Sequence, residues 1–140
     1  MRFVIDTDVM VAAMRSPSGA SAALLSLLLQ GHATMLLSVA MALEYESICM
    51  LAEHRLVASA SEDDVRNLLN TVIDIITPVE VHYQWRPQLT DASDEMVLEA
   101  AVNGRADAIV TFNRKDYKNM TDRFGIEILS PAEALERIRK

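Results

Sequence analysis

Apolar residues come along this chain in short runs, each closed by polar punctuation. Residues 2–5 hold three consecutive apolar side chains, Phe3, Val4 and Ile5, and then stop at Asp6; the pattern predicts a short buried strand. Residues 8–15 predict a helix, Ser16-Pro17-Ser18-Gly19 a loop, and residues 20–30 an apolar helix ended by Gly31. A second strand is expected at 35–37, followed by a long helix capped by Ser38 and running to about residue 54. Ser61 with Asp64 three places on has the form of a capping box and opens a helix to about residue 75. Residues 78–81 predict a short strand, and the stretch 82–89, with Trp85 and Pro87, is the least regular. Asp91 or Ser93 opens another helix, ended near Gly104, before strands at 108–111 and 126–129. A helix or irregular turn lies between those strands, over residues 114–123. Ser130-Pro131-Ala132-Glu133 combines an N-cap serine, a proline at the first helical position and a glutamate at the third, a strong start for a last helix.

Short apolar strands separated by helices predict a parallel sheet with helices on both faces. Ligands in such sheets bind beyond the carboxyl ends of the strands. Asp6 and Asp8 sit just past the end of the first strand, where sites are built.

Length and composition narrow the picture. At 140 residues and 51% apolar, the chain is expected to form one domain, 1–140, with a sizeable core. The net charge of −7 argues against holding nucleic acid by bulk attraction, because such domains are usually basic. It leaves room for a nuclease that grips phosphate locally, and for a basic partner on an acidic face. One cysteine, Cys49, excludes an intrachain disulfide and fits a reducing cytoplasm; its apolar setting reads as core packing. The uncharged stretch 16–43 is cut by Gln30, Gly31 and His32, so neither piece reaches the roughly 20 apolar residues of a membrane span. Residues 1–5 are too short for a signal-peptide core. A soluble protein is expected.

Acids then turn up in four unusual settings. A helix cap accounts for one of Asp6 and Asp8 but not both. Glu44 shares a helical face with Ala40, Met41, Ser47 and Ile48, where an unpaired carboxylate would cost several kcal/mol or take up a proton. Glu46 lies among similar neighbours; phase alone does not separate the two, and Glu46 is expected at the surface. In LTDASDEMVLEAA, Asp94 stacks with Val97, Leu98 and Ala101 on an inward face, whereas Glu95 and Glu99, two like charges four apart, are expected outside. Asp91 is a candidate N-cap there. Last, the strand at 108–111 ends in Thr111, with Asn113 and Asp116 close behind, beside the expected end of the first strand.

If Asp6, Glu44 and Asp94 converge, each pair repels by about 4 kcal/mol at 4 Å and an effective dielectric near 20. A cation makes such a cluster tolerable. The candidates are hard oxygens, and the three histidines, His32, His54 and His82, are scattered and expected at the surface or in loops, so Mg²⁺ or Mn²⁺ is the natural ion. Such an ion equips a site for phosphodiester hydrolysis.

Taken in order, FVIDTDVMVAAMRSPSGASAALL, ALEYE and TDASDEMVLEAAVNGRADAIVTFNRKDY resemble PIN-domain ribonucleases, in particular the VapC-like toxins of bacterial toxin–antitoxin pairs. The resemblance spans nearly the whole chain. It implies a PIN-like three-layer α/β/α sandwich with a short, mainly parallel central sheet, one or two Mg²⁺ or Mn²⁺ ions, and endonucleolytic cleavage of RNA. It maps the family's three acids onto Asp6, Glu44 and Asp94, with Asp91 and Glu95 flanking the third. Asp8, Thr111, Asn113 and Asp116 take supporting places, and Asn113 stands where the family often has an aspartate. Arg114, Lys115, Lys118 and Arg123 are the basic residues expected to meet RNA. The resemblance also implies an antitoxin that blocks the site and a homodimer. The apolar helix over 20–29 reads as deeply buried or as a subunit interface. Two alternatives stand beside this: a haloacid-dehalogenase-type phosphatase, whose opening is also a strand and Asp-x-Asp, and a catalytically weak PIN-fold binding module.

Overall fold

The computed structural model describes residues 1–82, 92–117 and 120–140. In chain order the elements are β1 (Arg2–Ile5), α1 (Thr7–Arg15), α2 (Ala20–Leu29), β2 (Thr34–Leu37), α3 (Val39–Cys49), α4 (Ala52–Ala58), α5 (Glu62–Ile75), β3 (Thr77–Pro78), α6 (Ala92–Asn103), β4 (Ala108–Val110), a 3₁₀ turn (Arg114–Tyr117), α7 (Met120–Phe124), β5 (Glu127–Leu129) and α8 (Pro131–Arg139). All strand pairs are parallel, and the sheet order is β3-β2-β1-β4-β5. Helices flank this sheet in an α/β/α sandwich. The strands can be so apolar because both faces are covered: Phe3, Val4, Ile5, Met35, Leu36, Leu37, Ala108, Ile109 and Val110 are all buried.

The order places β1 in the middle, with β2 on one side and β4 on the other. The chain therefore reverses its direction of travel across the sheet between β1 and β4, a switch point where a crevice opens beyond the strand ends. Ile5 pairs with Val110, and the Asp6 amide donates to the Val110 carbonyl at 2.9 Å. Asp6 and Thr111 thus leave the sheet side by side.

Several elements differ from the sequence expectation. The helix expected from Ser38 to residue 54 is two helices, α3 and α4. Leu51 is extended (φ −57°, ψ 134°), and the Arg55 Nε–H donates to the Met50 carbonyl at 3.0 Å. No glycine or proline marks the break; α1 packs against both helices, and the chain bends around it. The strand expected at 78–81 is only Thr77–Pro78. The histidines expected at the surface or in loops include His54, which lies on α4 with its side chain mostly buried and Nδ1 3.1 Å from Arg15 Nη1. Of the two readings of α2, burial holds: Leu24, Leu25 and Leu28 are buried, and the helix packs on α1, α5 and α8. The capping boxes at Ser61 and Ser130 are both formed. No helix among the described residues is long and apolar enough to cross a membrane.

Candidate active site

Asp6 ends β1 and caps α1. Its Oδ1 accepts the Thr7 amide at 2.8 Å, which explains why a carboxylate closes an apolar strand. Its Oδ2 accepts two hydroxyls, Thr111 Oγ1 at 2.8 Å and Tyr117 at 3.2 Å. The residue is 9% exposed. Burial pushes its pKa up and the negative charge of Asp116 adds to that push, against hydrogen bonds from Thr111, Thr7 and Tyr117.

Asp8, one position into the first turn of α1, reaches across to the segment after β4. Its Oδ2 accepts the Asn113 side-chain amide at 2.9 Å and the Phe112 backbone amide at 3.2 Å. Its Oδ1 is buried with no hydrogen-bond partner among the described residues. Burial, then the Asp6 charge, raises the Asp8 pKa to about 7. Asn113 therefore points a donor, not a second carboxylate, at the acids; its backbone amide in turn donates to Thr111 Oγ1 at 3.0 Å.

Asp94 stands in the first turn of α6, half-buried, with Oδ1 3.2 Å from the Tyr117 hydroxyl. Asp6 and Asp94 thus meet on one oxygen. Tyr117 is fully buried, and burial together with the charges of Asp6 and Asp94 raises its pKa. Sequence reasoning gave this tyrosine no role. The available signal was an aromatic ring with a polar tip in a polar segment just past a strand end, because a buried tyrosine hydroxyl needs a partner.

Glu44 is half-buried on α3, and Glu46 is exposed. The neighbouring Tyr45 is fully buried and donates its hydroxyl to the Ile5 carbonyl. Burial raises the Tyr45 pKa, and the charges of Asp6, Cys49, Glu44 and Asp8 all add to it.

One expectation fails outright. Glu95 and Glu99 are not outside; they are 3% and 4% exposed. The reason is visible around α6: Val97, Leu98, Ala100 and Ala101 are buried, and Met96 and Val102 pack against the core, so apolar residues run almost right round it. A helix of that kind is largely enclosed, and Glu95 and Glu99 do not stand at its half-buried positions, Asp94, Met96, Val102 and Asn103. It packs on β1, β2 and β4 and also on α3. Glu99 lines a hollow of about 390 Å³ with Ser38, Val39, Val79 and Glu80.

Of the basic residues, Arg114 forms an ion pair with Glu133 of α8, and Lys115 is exposed. Both line an open hollow of about 460 Å³ with Phe112, Asn113 and Asp116. Arg123 stacks over its neighbour Phe124, 5.3 Å from the ring centre. Asp91 and Lys118 lie outside the described residues.

No set of three or more Asp, Glu, His or Cys side chains among the described residues is drawn tightly enough to enclose an ion. The donor set nevertheless fits a hard cation that keeps most of its waters, since Mg²⁺ is commonly held through one or two carboxylates. Asp6 and Asp94 would supply that pair, and the buried Asp8 Oδ1 is a further oxygen donor near Asp6.

Residues 2–115 match the family model of the PIN domain. The chain belongs to the PIN-domain family. The match runs from β1 into the 3₁₀ turn and takes in Asp6, Glu44, Asp94, Thr111 and Asn113. Among solved structures, this PIN domain superposes with a TM-score of 0.60 on a chain of VapBC2 from Rickettsia felis bound to a DNA fragment from their promoter. The identity is 14%, with 93% of this chain and 98% of that one covered, so the likeness is one of fold. No curated protein matches the sequence. The PIN assignment sets aside the phosphatase alternative.

Proposed function

We propose that the protein is a Mg²⁺- or Mn²⁺-dependent endoribonuclease and the toxin component of a toxin–antitoxin pair. The observation that supports this most directly is the meeting of Asp6 and Asp94 on one buried hydroxyl at the switch point of the sheet. Asp6 and Asp94 would hold the ion, with Glu44 and, by sequence position, Asp91 as further oxygen donors. The ion, when bound, supplies positive charge for the phosphodiester and makes water a better acid.

The chain's own residues do the rest. Thr111 fixes the Asp6 carboxylate through its hydroxyl. Asp8 or Glu44 orients the attacking water. Arg114, Lys115 and Lys118 contact the RNA backbone; the Glu133 ion pair holds the Arg114 guanidinium beside the hollow. The partner is a basic antitoxin segment that enters the acidic site, in keeping with the net charge of −7 and with the VapBC fold likeness. Exposed Val39, Leu43, Leu56 and Val57 on α3 and α4 give a homodimer apolar surface to bury.

The test is cleavage of structured RNA by purified protein in Mg²⁺ or Mn²⁺, with EDTA and Asp6→Asn as controls. Cutting should appear with the ion and fall to background in either control. Cutting that persists in either one would overturn the reading, and no cutting at all would favour the binding-module alternative, for which Asn113 in place of a carboxylate is the motive.

A further inference from the structure

We infer that Tyr117 is a positioning residue for the divalent ion, its hydroxyl setting the spacing and orientation of Asp6 and Asp94. The inference rests on the metal-site reading above and deepens it.

The geometry comes first. The Tyr117 hydroxyl is 3.2 Å from Asp6 Oδ2 and 3.2 Å from Asp94 Oδ1, so it links the end of β1 to the first turn of α6. A phenol carries one proton and can donate to only one of the two carboxylates at a time. Lying against both, the hydroxyl fixes how the two carboxylate oxygens stand relative to each other. Hydrogen-bond capacity at Asp6 points the same way. Its Oδ2 faces two hydroxyls, Thr111 and Tyr117, whereas Oδ1 accepts only the Thr7 amide and keeps a lone pair. The hydroxyls of Thr111 and Tyr117 therefore turn the carboxylate so that Oδ1 is the oxygen left to ligate.

The placement of Tyr117 is rigid enough for this. Its ring is fully buried, and it ends the 3₁₀ turn that starts just after β4. That turn is tied down at its start by Asn113, through Thr111 Oγ1 and Asp8 Oδ2, and within itself by the Asp116 amide on the Asn113 carbonyl. Donors to metal-ligating carboxylates typically carry about 10–100-fold in metal affinity.

The experiment is Mn²⁺ binding to the full chain, by calorimetry and by the loss of the free-Mn²⁺ paramagnetic resonance signal. Wild type, Asp6→Asn, Tyr117→Phe and Tyr117→3-fluorotyrosine are compared, with metal-free thermal midpoints measured alongside. Tyr117→Phe keeps the ring and the core volume and should weaken Mn²⁺ about 10–100-fold. The fluorinated ring keeps the hydroxyl and should bind as wild type does. Unchanged or tighter binding by Tyr117→Phe, with wild-type binding abolished by Asp6→Asn, overturns this inference and leaves the metal site standing. Equal weakening by the fluorinated ring also overturns it, since ring packing and not the hydroxyl would then be at work. Absence of any Mn²⁺ binding that Asp6→Asn removes sinks both readings together.

Discussion

At the scale of single residues, burial decides what the acids do. Asp8 has a folded pKa of about 7 against an ordinary 3.8, so the metal-free folded state holds a proton that the unfolded state releases. An acid shifted upward in this way makes stability fall as pH rises from about 4 to about 7, and flat beyond. Asp6 is shifted in the same direction. In EDTA, the urea midpoint should therefore decline across that window, and Asp8→Asn should lessen the decline. A decline of the same size in Asp8→Asn would contradict the assignment. Asp6, Asp8 and Asp94 were legible in the sequence because acids at a strand end or on an apolar helical face need a reason to be there. Tyr117 was not legible, because nothing local says which carboxylates its hydroxyl will meet. Glu95 and Glu99 are buried although their like-charge spacing predicts exposure, because β1, β2, β4 and α3 enclose most of α6.

At the scale of elements, the carriers of the site are held by caps and close approaches. The α6 helix brings Asp94 to the crevice, and Gly104 just past its end lets it settle on the sheet. A Cβ there would lie 2.8 Å from the Ala100 carbonyl oxygen, 2.8 Å from Val79 Cγ2 and 3.0 Å from Leu36 Cδ1. The Gly104 carbonyl also accepts from the Arg2 guanidinium, at 2.8 Å to Nη2. Gly104→Ala should cost about 1–3 kcal/mol by overpacking, read from urea unfolding, and should lower activity by displacing Asp94; a neutral variant would refute this close packing. At the other end of the chain, Ser130 accepts the Glu133 amide at 3.2 Å and donates its own amide to the Glu133 carboxylate at 2.9 Å. Ser130→Ala should cost about 0.5–2 kcal/mol in the same assay. Both capping boxes were readable because they are local patterns. The bend between α3 and α4 was not, because no local glycine or proline marks it; what the structure adds is that α1 packs against both helices.

At the scale of the whole molecule, the charge of −7 sets the terms for any nucleic acid. Arg114 is already paired with Glu133, which leaves few free cations around the hollow among the described residues. RNA binding measured in EDTA should be weak. Three phosphate contacts would give a slope of roughly −2.1 in log affinity against log salt for a single strand. A slope steeper than about −4 would reveal a basic surface elsewhere and overturn the local-grip account.

The sequence by itself determined the alternation of strands and helices, the caps, and the acids that close β1 and open α6, since each depends on neighbours within a few residues. Only the tertiary structure decided which side chains share a hydroxyl, which face of α6 is enclosed and where the chain bends around α1. Those outcomes depend on contacts between elements far apart in the chain, and local propensity carries no information about them.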